Sequence, residues 1–439
     1  MLDEAVYRER RDRVIERMGE SDAAIFFSSD ERIRSRDSTY AYRADSDVVY
    51  LTGFEEPQAI VVLRSGCEEA LTIFVRKRDE DMEIWNGRRA GTEGAKERYG
   101  ADLAFTLEEV EKELPALIED VETIHYHLGQ SFDKTILDAV KKVRYRRGKA
   151  PARAKAWRSS RDLLHPVRLI KSGAEIDAIR ATCALTAEAH LAAMKACQPG
   201  MYEYQLQALI EYVFRAGGAS APAYGSIVGA GENATVLHYT ENRSRIGAGD
   251  LVLIDAGSEL DHYAGDITRT FPASGTFTPV QRDVYQAVLD AEVAAIKLCV
   301  VGKTWLEIHE ATVAHLTQSM VDLGLLSGDV DNLIESEAYK RFYMHKTGHW
   351  LGIDVHDVGP YYDGAEPRKL EVGMVQTIEP GIYIQPGSEG VDERFWGIGV
   401  RIEDDILTRA EGPEVLTGDV PKTVMEIEAV VGSGYFIDL

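Results

Sequence analysis

Short apolar runs, separated by charged and turn-forming residues, follow one another through the first part of the chain. They are rich in β-branched and aromatic residues, which favours β-strands. Helices are expected over residues 5–18 and 107–120, where apolar positions recur at helical spacing. This part of the chain is therefore predicted to be a mixed α/β domain. The runs predicted as strands are AAIFF at 23–27, VVYLTGF at 48–54, AIVVL at 59–63 and LTIFV at 71–75.

The pattern changes near residue 172, where long helical segments begin to mix with strand-like runs. The predicted helices are 175–197, 203–218 and 280–299. The strand-like runs are DLVLIDAG, DITRTF, MVQTIEPGIYI and GIGVRIEDDILT. Because they do not alternate regularly as βαβ units, an α+β domain with an antiparallel sheet is expected. A chain of 439 residues has room for two domains, which we place at 1–172 and 173–439.

The chain is acidic, with 73 Asp and Glu against 49 Lys and Arg and a net charge of −24. Most of the acid excess lies in the second domain. This balance argues against nucleic acid as a partner, because phosphate binding depends on clustered Lys and Arg. One run, residues 141–161, contains ten Lys or Arg and no acid. A surface helix and a domain connection are favoured there over a docking patch for an anion or an acidic subunit.

Cysteine usage and hydropathy indicate a cytoplasmic protein with no membrane partner. The four cysteines are far apart and form no CxxC pair, which favours a reducing compartment. The first residues, MLDEAVYRERRDRV, lack the apolar core of a signal peptide. No apolar run approaches the roughly 18 residues needed for a membrane span.

Four acidic residues stand in apolar, strand-like surroundings in the second domain. Asp255 ends LVLID, Asp266 precedes ITRTF, Glu379 follows Thr-Ile, and Glu403 lies within VRIEDD. The segment between the two aspartates can reverse direction, so they can meet on adjacent antiparallel strands. Each residue alone could cap a turn. Together, however, buried carboxylates repel one another, and divalent cations are the simplest way to stabilise them.

Three histidines, His345, His349 and His356, lie in MHKTGHWLGIDVHDVG at 344–359 and could supply nitrogen ligands. Another segment, GAGENA at 229–234, matches the GxGxxG/A pattern of dinucleotide-binding folds. That pattern requires a helix directly after it, whereas ATVLHYTEN is a short strand-like run that leads into a polar turn. A nucleotide cofactor is therefore not expected.

These motifs resemble the aminopeptidase P (Xaa-Pro aminopeptidase) family of M24 metallopeptidases. The resembling segments include DSTYAYRADSDVVYLTGFEEPQA at 37–59, IWNGRRAG at 84–91, IVGAGENATVLHYTEN, GHWLGIDVHDVG, TIEPGIYI and GIGVRIEDD. The resemblance implies a pita-bread catalytic domain with a curved antiparallel sheet at 173–439. It also implies that the mixed α/β domain at 1–172 restricts substrates and supports a homodimer or homotetramer.

The resemblance also assigns metal ligands and metals. Two divalent ions are implied, bridged by Asp266 and Glu403. Four carboxylates and one imidazole form an oxygen-rich set that suits Mn²⁺, although Co²⁺, Fe²⁺ or Zn²⁺ could use the same ligands. The implied ligands are Asp255, Asp266, His349, Glu379 and Glu403.

Further roles follow from the same resemblance. Ordinary packing is the alternative for His345 and Tyr383, and an interface or core position is the alternative for Trp85. Lys346 and Thr347 depart from the small residues that are common in relatives. The implied catalytic residues are His238, His356, Glu379 and Arg401, and the implied substrate-binding residues are His345, Tyr383 and Trp85.

The function implied is release of the N-terminal residue from peptides with proline at the second position. A prolidase, which cuts only Xaa-Pro dipeptides, is the alternative that shares all five ligands. A non-catalytic pita-bread binding module is the alternative from another class. The intact ligand set and the net charge of −24 argue against that module.

Overall fold

The computed structural model describes residues 2–146 and 154–434. The chain divides into two compact units, residues 1–168 and 169–439. The basic run at 141–161 lies partly outside the described residues. Its first part belongs to the helix Asp133–Arg146, and its last part contains the strand Ala156–Arg158 and the first residue of the helix that starts at Arg161.

The first unit is built around a six-stranded mixed sheet. Its helices are α1 (Glu4–Ile15), α2 (Ser46–Thr52), α3 (Glu80–Asn86), α4 (Gly91–Tyr99), α5 (Val110–Leu117), α6 (Asp133–Arg146) and α7 (Arg161–Leu169). Its strands are β1 (Asp22–Phe27), β2 (Ile33–Ser35), β3 (Ser38–Thr39), β4 (Ile60–Arg64), β5 (Leu71–Val75), β6 (Leu103–Thr106), β7 (Thr123–His125) and β8 (Ala156–Arg158). The sheet order is β6-β5-β4-β1-β7-β8, with antiparallel central pairs and parallel outer pairs. The predicted mixed α/β domain is present.

One predicted strand of this unit is wrong. VVYLTGF at 48–54 lies mostly in the helix α2. Asp45 caps this helix by accepting hydrogen bonds from the backbone of Asp47 and Val48, and Gly53 ends it at a φ of 68°. Every residue of α2 except Asp47 is buried, so the helix shows no polar face that would have revealed its period.

The second unit combines long helices with short antiparallel sheets. Its helices are α8 (Gly173–Ala196), α9 (Glu203–Ala216), α10 (Pro279–Lys297), α11 (Trp305–Asp322), α12 (Val330–Glu335) and α13 (Val424–Val430). Its strands are β9 (Ala221–Pro222), β10 (Ile227–Ala230), β11 (Leu251–Ala256), β12 (Ser258–Leu260), β13 (Tyr263–Ala264), β14 (Ile267–Pro272), β15 (Tyr362–Asp363), β16 (Glu366–Pro367), β17 (Val375–Ile378), β18 (Gly381–Ile384), β19 (Ile398–Arg401), β20 (Asp404–Arg409) and β21 (Gly412–Val415).

Three of these sheets carry the candidate site. Their orders are β10-β11-β14, β17-β20-β21 and β18-β19, and every pair in them is antiparallel. The largest apolar core joins residues of α8 to α11 with residues of β11 and β14, including Leu206, Val252 and Phe271. The helices therefore bury one side of the sheet that presents the acidic residues.

The segment after β10 differs from its predicted form. Most of GAGENA lies in a short 3-10 helix, Gly231–Thr235, and no strand follows it before residue 251. The strand-like pattern of ATVLHYTEN was therefore misleading. In the described ranges, no helix is long and apolar enough to cross a membrane.

Candidate metal centre

A pair of antiparallel strands brings the two aspartates together. Asp255 lies near the end of β11, opposite Thr268 of β14, and Asp266 directly precedes β14. The connection between the strands packs closely, because a Cβ atom on Gly257 would overlap with the carbonyl oxygen of Gly265. The strand pairing expected from the sequence is present.

The two glutamates lie where the chain passes between the β17-β20-β21 sheet and the β18-β19 sheet. Glu379 directly follows β17, and Glu403 lies between β19 and β20. Thr268 of β14 forms an isolated bridge with Glu403. The backbone N–H of Glu403 donates to Thr268 O at 3.1 Å, and Thr268 Oγ1 donates to Glu403 Oε2 at 2.6 Å. These bonds fix the Glu403 carboxylate beside the start of β14.

The His349 imidazole is oriented by its own segment. Its backbone N–H donates to Thr377 Oγ1 at 3.1 Å, and its Nδ1 donates to the carbonyl of Trp350 at 3.0 Å. The other ring nitrogen, Nε2, lies 3.4 Å from Asp266 Oδ2 and 3.8 Å from Glu379 Oε1. The hydrogen bond from Nδ1 to the Trp350 carbonyl fixes the tautomer in which Nε2 can bind a metal.

The predicted ligands converge on one cavity of about 540 Å³. Asp266, His349 and Glu403 each offer a donor atom, and these atoms all lie within 4.8 Å of one another. Asp255 and Glu379 line the same cavity. Three of the five predicted ligands therefore form a tight group, and the other two lie in the same cavity.

Two further side chains hold Asp255 in place. Arg401 Nη2 donates to Asp255 Oδ2 at 2.5 Å. Tyr224, which sequence reasoning missed, donates to Asp255 Oδ1 at 2.6 Å and also contacts Asp266 Oδ1. Nothing local marks Tyr224 as a partner, because it lies 31 residues before Asp255 and meets it only through tertiary folding.

His345 and Tyr383 are linked to this network and differ in accessibility. His345 lines the cavity, and its Nε2 hydrogen-bonds with Tyr383 OH at 2.9 Å. Tyr383 is only 1% exposed and does not line the described cavity, and its OH accepts a hydrogen bond from Arg401 Nη1 at 3.1 Å. Burial lowers the pKa of His345 to about 3 and raises the pKa of Tyr383 to about 12. Tyr383 thus reaches Asp255 through Arg401.

His238 and His356 also line the cavity, whereas Trp85 belongs to the other unit. The ring centroids of His356 and His349 lie 4.2 Å apart. Burial, followed by the charge of His349, lowers the pKa of His356. Trp85 lies on α3 and is 84% exposed. Its contribution to a substrate pocket stays a prediction.

The segment that carries His238 is held by two fully buried polar residues. Glu203 Oε2 accepts hydrogen bonds from Tyr239 OH at 2.9 Å and from the backbone of Ser244 at 2.8 Å. Asn242, at a φ of 50°, donates from Nδ2 to the backbone carbonyl of Ser226 at 2.8 Å. Because buried polar groups are costly unless they are paired, these bonds fix the loop around His238.

Comparison with known families assigns the chain. The model of metallopeptidase family M24 matches residues 177–410, and that of the aminopeptidase P N-terminal domain matches residues 7–125. The chain belongs to the aminopeptidase P family of M24 metallopeptidases. It accordingly has a mixed α/β N-terminal domain followed by a pita-bread catalytic domain, and it is a metal-dependent peptidase.

Members of the family resemble the chain over nearly its whole length. The Xaa-Pro aminopeptidase of Escherichia coli K12 is 43% identical over 432 residues, which is 97% of each chain. The Pseudomonas aeruginosa aminopeptidase PepP structure has a TM-score of 0.95 and 49% identity and covers 98% of each chain. A zinc-substituted E. coli aminopeptidase P in complex with product has a TM-score of 0.94 and 43% identity, again covering 98% of each chain.

The electrostatics of the site fit a divalent metal. Burial and the neighbouring carboxylates raise the pKa of Glu379 to about 7 and that of Glu403 well above its ordinary value. Burial opposes the charged form of His349, but its hydrogen bond to Asp266 raises its pKa to about 9. The cationic side chains of the protein thus do not fully offset the negative charge of these carboxylates. Divalent cations supply that charge, and carboxylate oxygens are among the ligands they prefer.

Proposed function

We propose that this protein is a metal-dependent Xaa-Pro aminopeptidase, which releases the N-terminal residue from peptides with proline second. The observation that carries the proposal is the convergence of four carboxylates and His349 on one cavity that His238 and His356 also line. Similarity to the family over both domains supports the same activity.

The five grouped residues would hold the metal. We propose two divalent ions, with Asp266 and Glu403 as the shared ligands. Mn²⁺ is the ion that we favour, because the set contains four carboxylates, one imidazole and no thiolate. The proposed ligands are Asp255, Asp266, His349, Glu379 and Glu403.

Hydrolysis then depends on how the chain handles protons and developing charge. Bound divalent ions would supply Lewis-acid polarisation of a carbonyl and lower the pKa of water. The Glu379 carboxylate would accept a proton from the attacking water and pass it to the leaving nitrogen. The His356 imidazole would donate a hydrogen bond to the oxyanion of the tetrahedral intermediate, and His238 would lie beside the scissile bond. Arg401 would keep Asp255 oriented throughout.

A preference for proline is compatible with the apolar part of the cavity. Ile227, Leu237 and Val355 are among the lining residues. An Xaa-Pro bond has no N–H, so a proline-selective pocket needs no acceptor for one. His345 would line the substrate side, and Trp85 would reach the pocket of a neighbouring subunit and form one of its walls.

We also propose a homodimer or homotetramer in the cytoplasm. Ile84 and Trp85 on α3 are 81% and 84% exposed, and paired large apolar side chains of this kind are typical of subunit interfaces. All four cysteines lie within the described residues and are unpaired, which suits a reducing compartment.

A substrate panel separates the proposal from its rivals. The protein loaded with Mn²⁺ is incubated with an Xaa-Pro dipeptide, an Xaa-Pro-Yaa-Zaa peptide and a matched Xaa-Ala-Yaa-Zaa control, and release of Xaa is followed by mass spectrometry. Release from the longer proline peptide alone or together with the dipeptide is expected. Cleavage confined to the dipeptide would indicate a prolidase, and no cleavage of any peptide would favour a binding module.

A further inference from the structure

Lys346 occupies the mouth of the cavity. It is both exposed and among the residues that line the cavity. Its side chain extends from the segment His345–His349, which also supplies a proposed metal ligand.

The backbone around Lys346 is fixed although its side chain is not. The carbonyl oxygen of Lys346 accepts a hydrogen bond from His345 Nδ1 at 2.7 Å. The next carbonyl, that of Thr347, accepts from the backbone N–H of Glu379 at 2.8 Å. Thr347 Oγ1 lies 2.8 Å from His309 Nδ1, which ties the segment to α11. The Lys346 side chain therefore extends from a backbone that hydrogen bonds hold in place at one edge of the cavity.

Lys346 is also available to bind a ligand. The cavity lining described here contains two permanently cationic side chains, Lys346 and Arg401. Arg401 is buried and donates to Asp255 and Tyr383. Lys346 forms no ion pair within the described residues. Once divalent ions offset the four carboxylates, its positive charge at the mouth is left for an incoming anion.

We propose that Lys346 is a specificity-determining residue that binds a carboxylate on the leaving-group side of the peptide. This inference rests on the proposed function. The scissile bond must lie among the grouped carboxylates and histidines, so the rest of the peptide must leave through the mouth where Lys346 stands. The anions that a peptide carries there are its own C-terminal carboxylate and the acidic side chains that follow proline. Both offer the same chemistry to an ammonium group.

The test compares peptides that differ by one carboxylate. The first pair is an Xaa-Pro-Yaa tripeptide as the free acid and as the C-terminal amide. The second pair is a longer amidated peptide with Glu or Gln at the third position. The steady-state constants kcat and KM are measured on the Mn²⁺-loaded protein for the wild type, Lys346→Met, Lys346→Arg and Lys346→Glu. Lys297→Met removes another exposed lysine, at the end of α10, and is the matched control.

The wild type should prefer the charged member of at least one pair by about three- to tenfold in kcat/KM, mainly through KM, because the contact adds binding rather than transition-state stabilisation. The pair that shows the preference identifies the source of the carboxylate. Lys346→Met should abolish the preference, Lys346→Arg should retain it, Lys346→Glu should reverse it, and Lys297→Met should leave it unchanged.

Two outcomes would overturn the inference while the proposed function stands. One is equal cleavage of both members of each pair by the wild type. The other is a preference that survives in Lys346→Met. If the loaded wild type cleaves none of the peptides, the proposed function fails and the inference fails with it.

Discussion

Replacing Tyr224 with Phe removes a single hydroxyl from beside the proposed metal ligands. That hydroxyl donates to Asp255 Oδ1 at 2.6 Å and also contacts Asp266 Oδ1. The phenyl ring of the variant keeps the shape of the site. The substitution therefore tests whether outer hydrogen bonds orient the carboxylates for metal, separately from packing.

The expected loss can be estimated from the bond that is removed. A hydrogen bond to a charged group contributes roughly 1.5–3 kcal/mol, and about 1.4 kcal/mol corresponds to a tenfold change in an equilibrium constant. The affinity for Mn²⁺ should therefore fall by about 10- to 100-fold, the range usual for partners of metal ligands. Activity should fall at limiting metal and recover largely at saturating metal.

The assay is calorimetric titration of the chelator-stripped protein with Mn²⁺, followed by peptide cleavage at each metal concentration. Tyr285→Phe is the matched control, because the OH of the buried Tyr285 likewise donates a hydrogen bond, here to the carbonyl of Lys422 at 2.7 Å. It should lose some stability and no metal affinity. If Tyr224→Phe binds Mn²⁺ as tightly as the wild type, the orienting role assigned to Tyr224 is refuted.

Three further substitutions test other parts of the structure. Gly257→Ala should lower the free energy of unfolding, measured by urea denaturation, by about 1–3 kcal/mol, because its methyl group would overlap with an opposing backbone carbonyl. An unchanged denaturation midpoint would contradict the close packing. Burial alone would raise the pKa of Asp22, but its hydrogen bonds, led by that from His125, lower it, so Asp22→Asn should destabilise the fold by about 1 kcal/mol at pH 7. The difference in the free energy of unfolding should shrink below about pH 3.9, the ordinary pKa of Asp, and vanish as the pH falls through the lowered pKa of Asp22. A difference that does not change with pH would show that the charge of Asp22 is not its source. Glu203→Gln should lower kcat by about tenfold at unchanged metal content, because it would disturb the loop of His238, whereas unchanged kcat would exclude that role.

Regular elements were predictable where their pattern is strong and local. The helices α8, α9 and α10 lie where the helical spacing placed them, and β11 and β14 lie in the predicted apolar runs. The helix α2 was missed because it is buried on nearly all sides and therefore resembles a buried strand. Its Asp45 cap and its terminal Gly53 were the available signals.

The candidate site was predictable to a different extent. Each carboxylate alone could cap a turn, so Asp255 and Glu403 were identified only because several carboxylates share apolar, strand-like surroundings and because these motifs resemble those of a metallopeptidase family. Their partners are not marked in this way. The bridge between Thr268 and Glu403 joins residues 135 positions apart, and Tyr224 reaches Asp255 across 31 positions. Such contacts follow from sheet topology, which a single sequence specifies only indirectly.

Metal binding measured together with cleavage tests the central claim most directly. The stripped wild type and Asp266→Ala are equilibrated with Mn²⁺, the bound metal is measured by mass spectrometry, and release of the first residue from an Xaa-Pro-Yaa-Zaa peptide is followed in the same samples. Asp266 is one of three residues whose donor atoms lie within 4.8 Å of one another. The wild type should bind metal with cleavage rising in step, and Asp266→Ala should lose both. Full cleavage and full metal retention in Asp266→Ala would contradict the proposed centre.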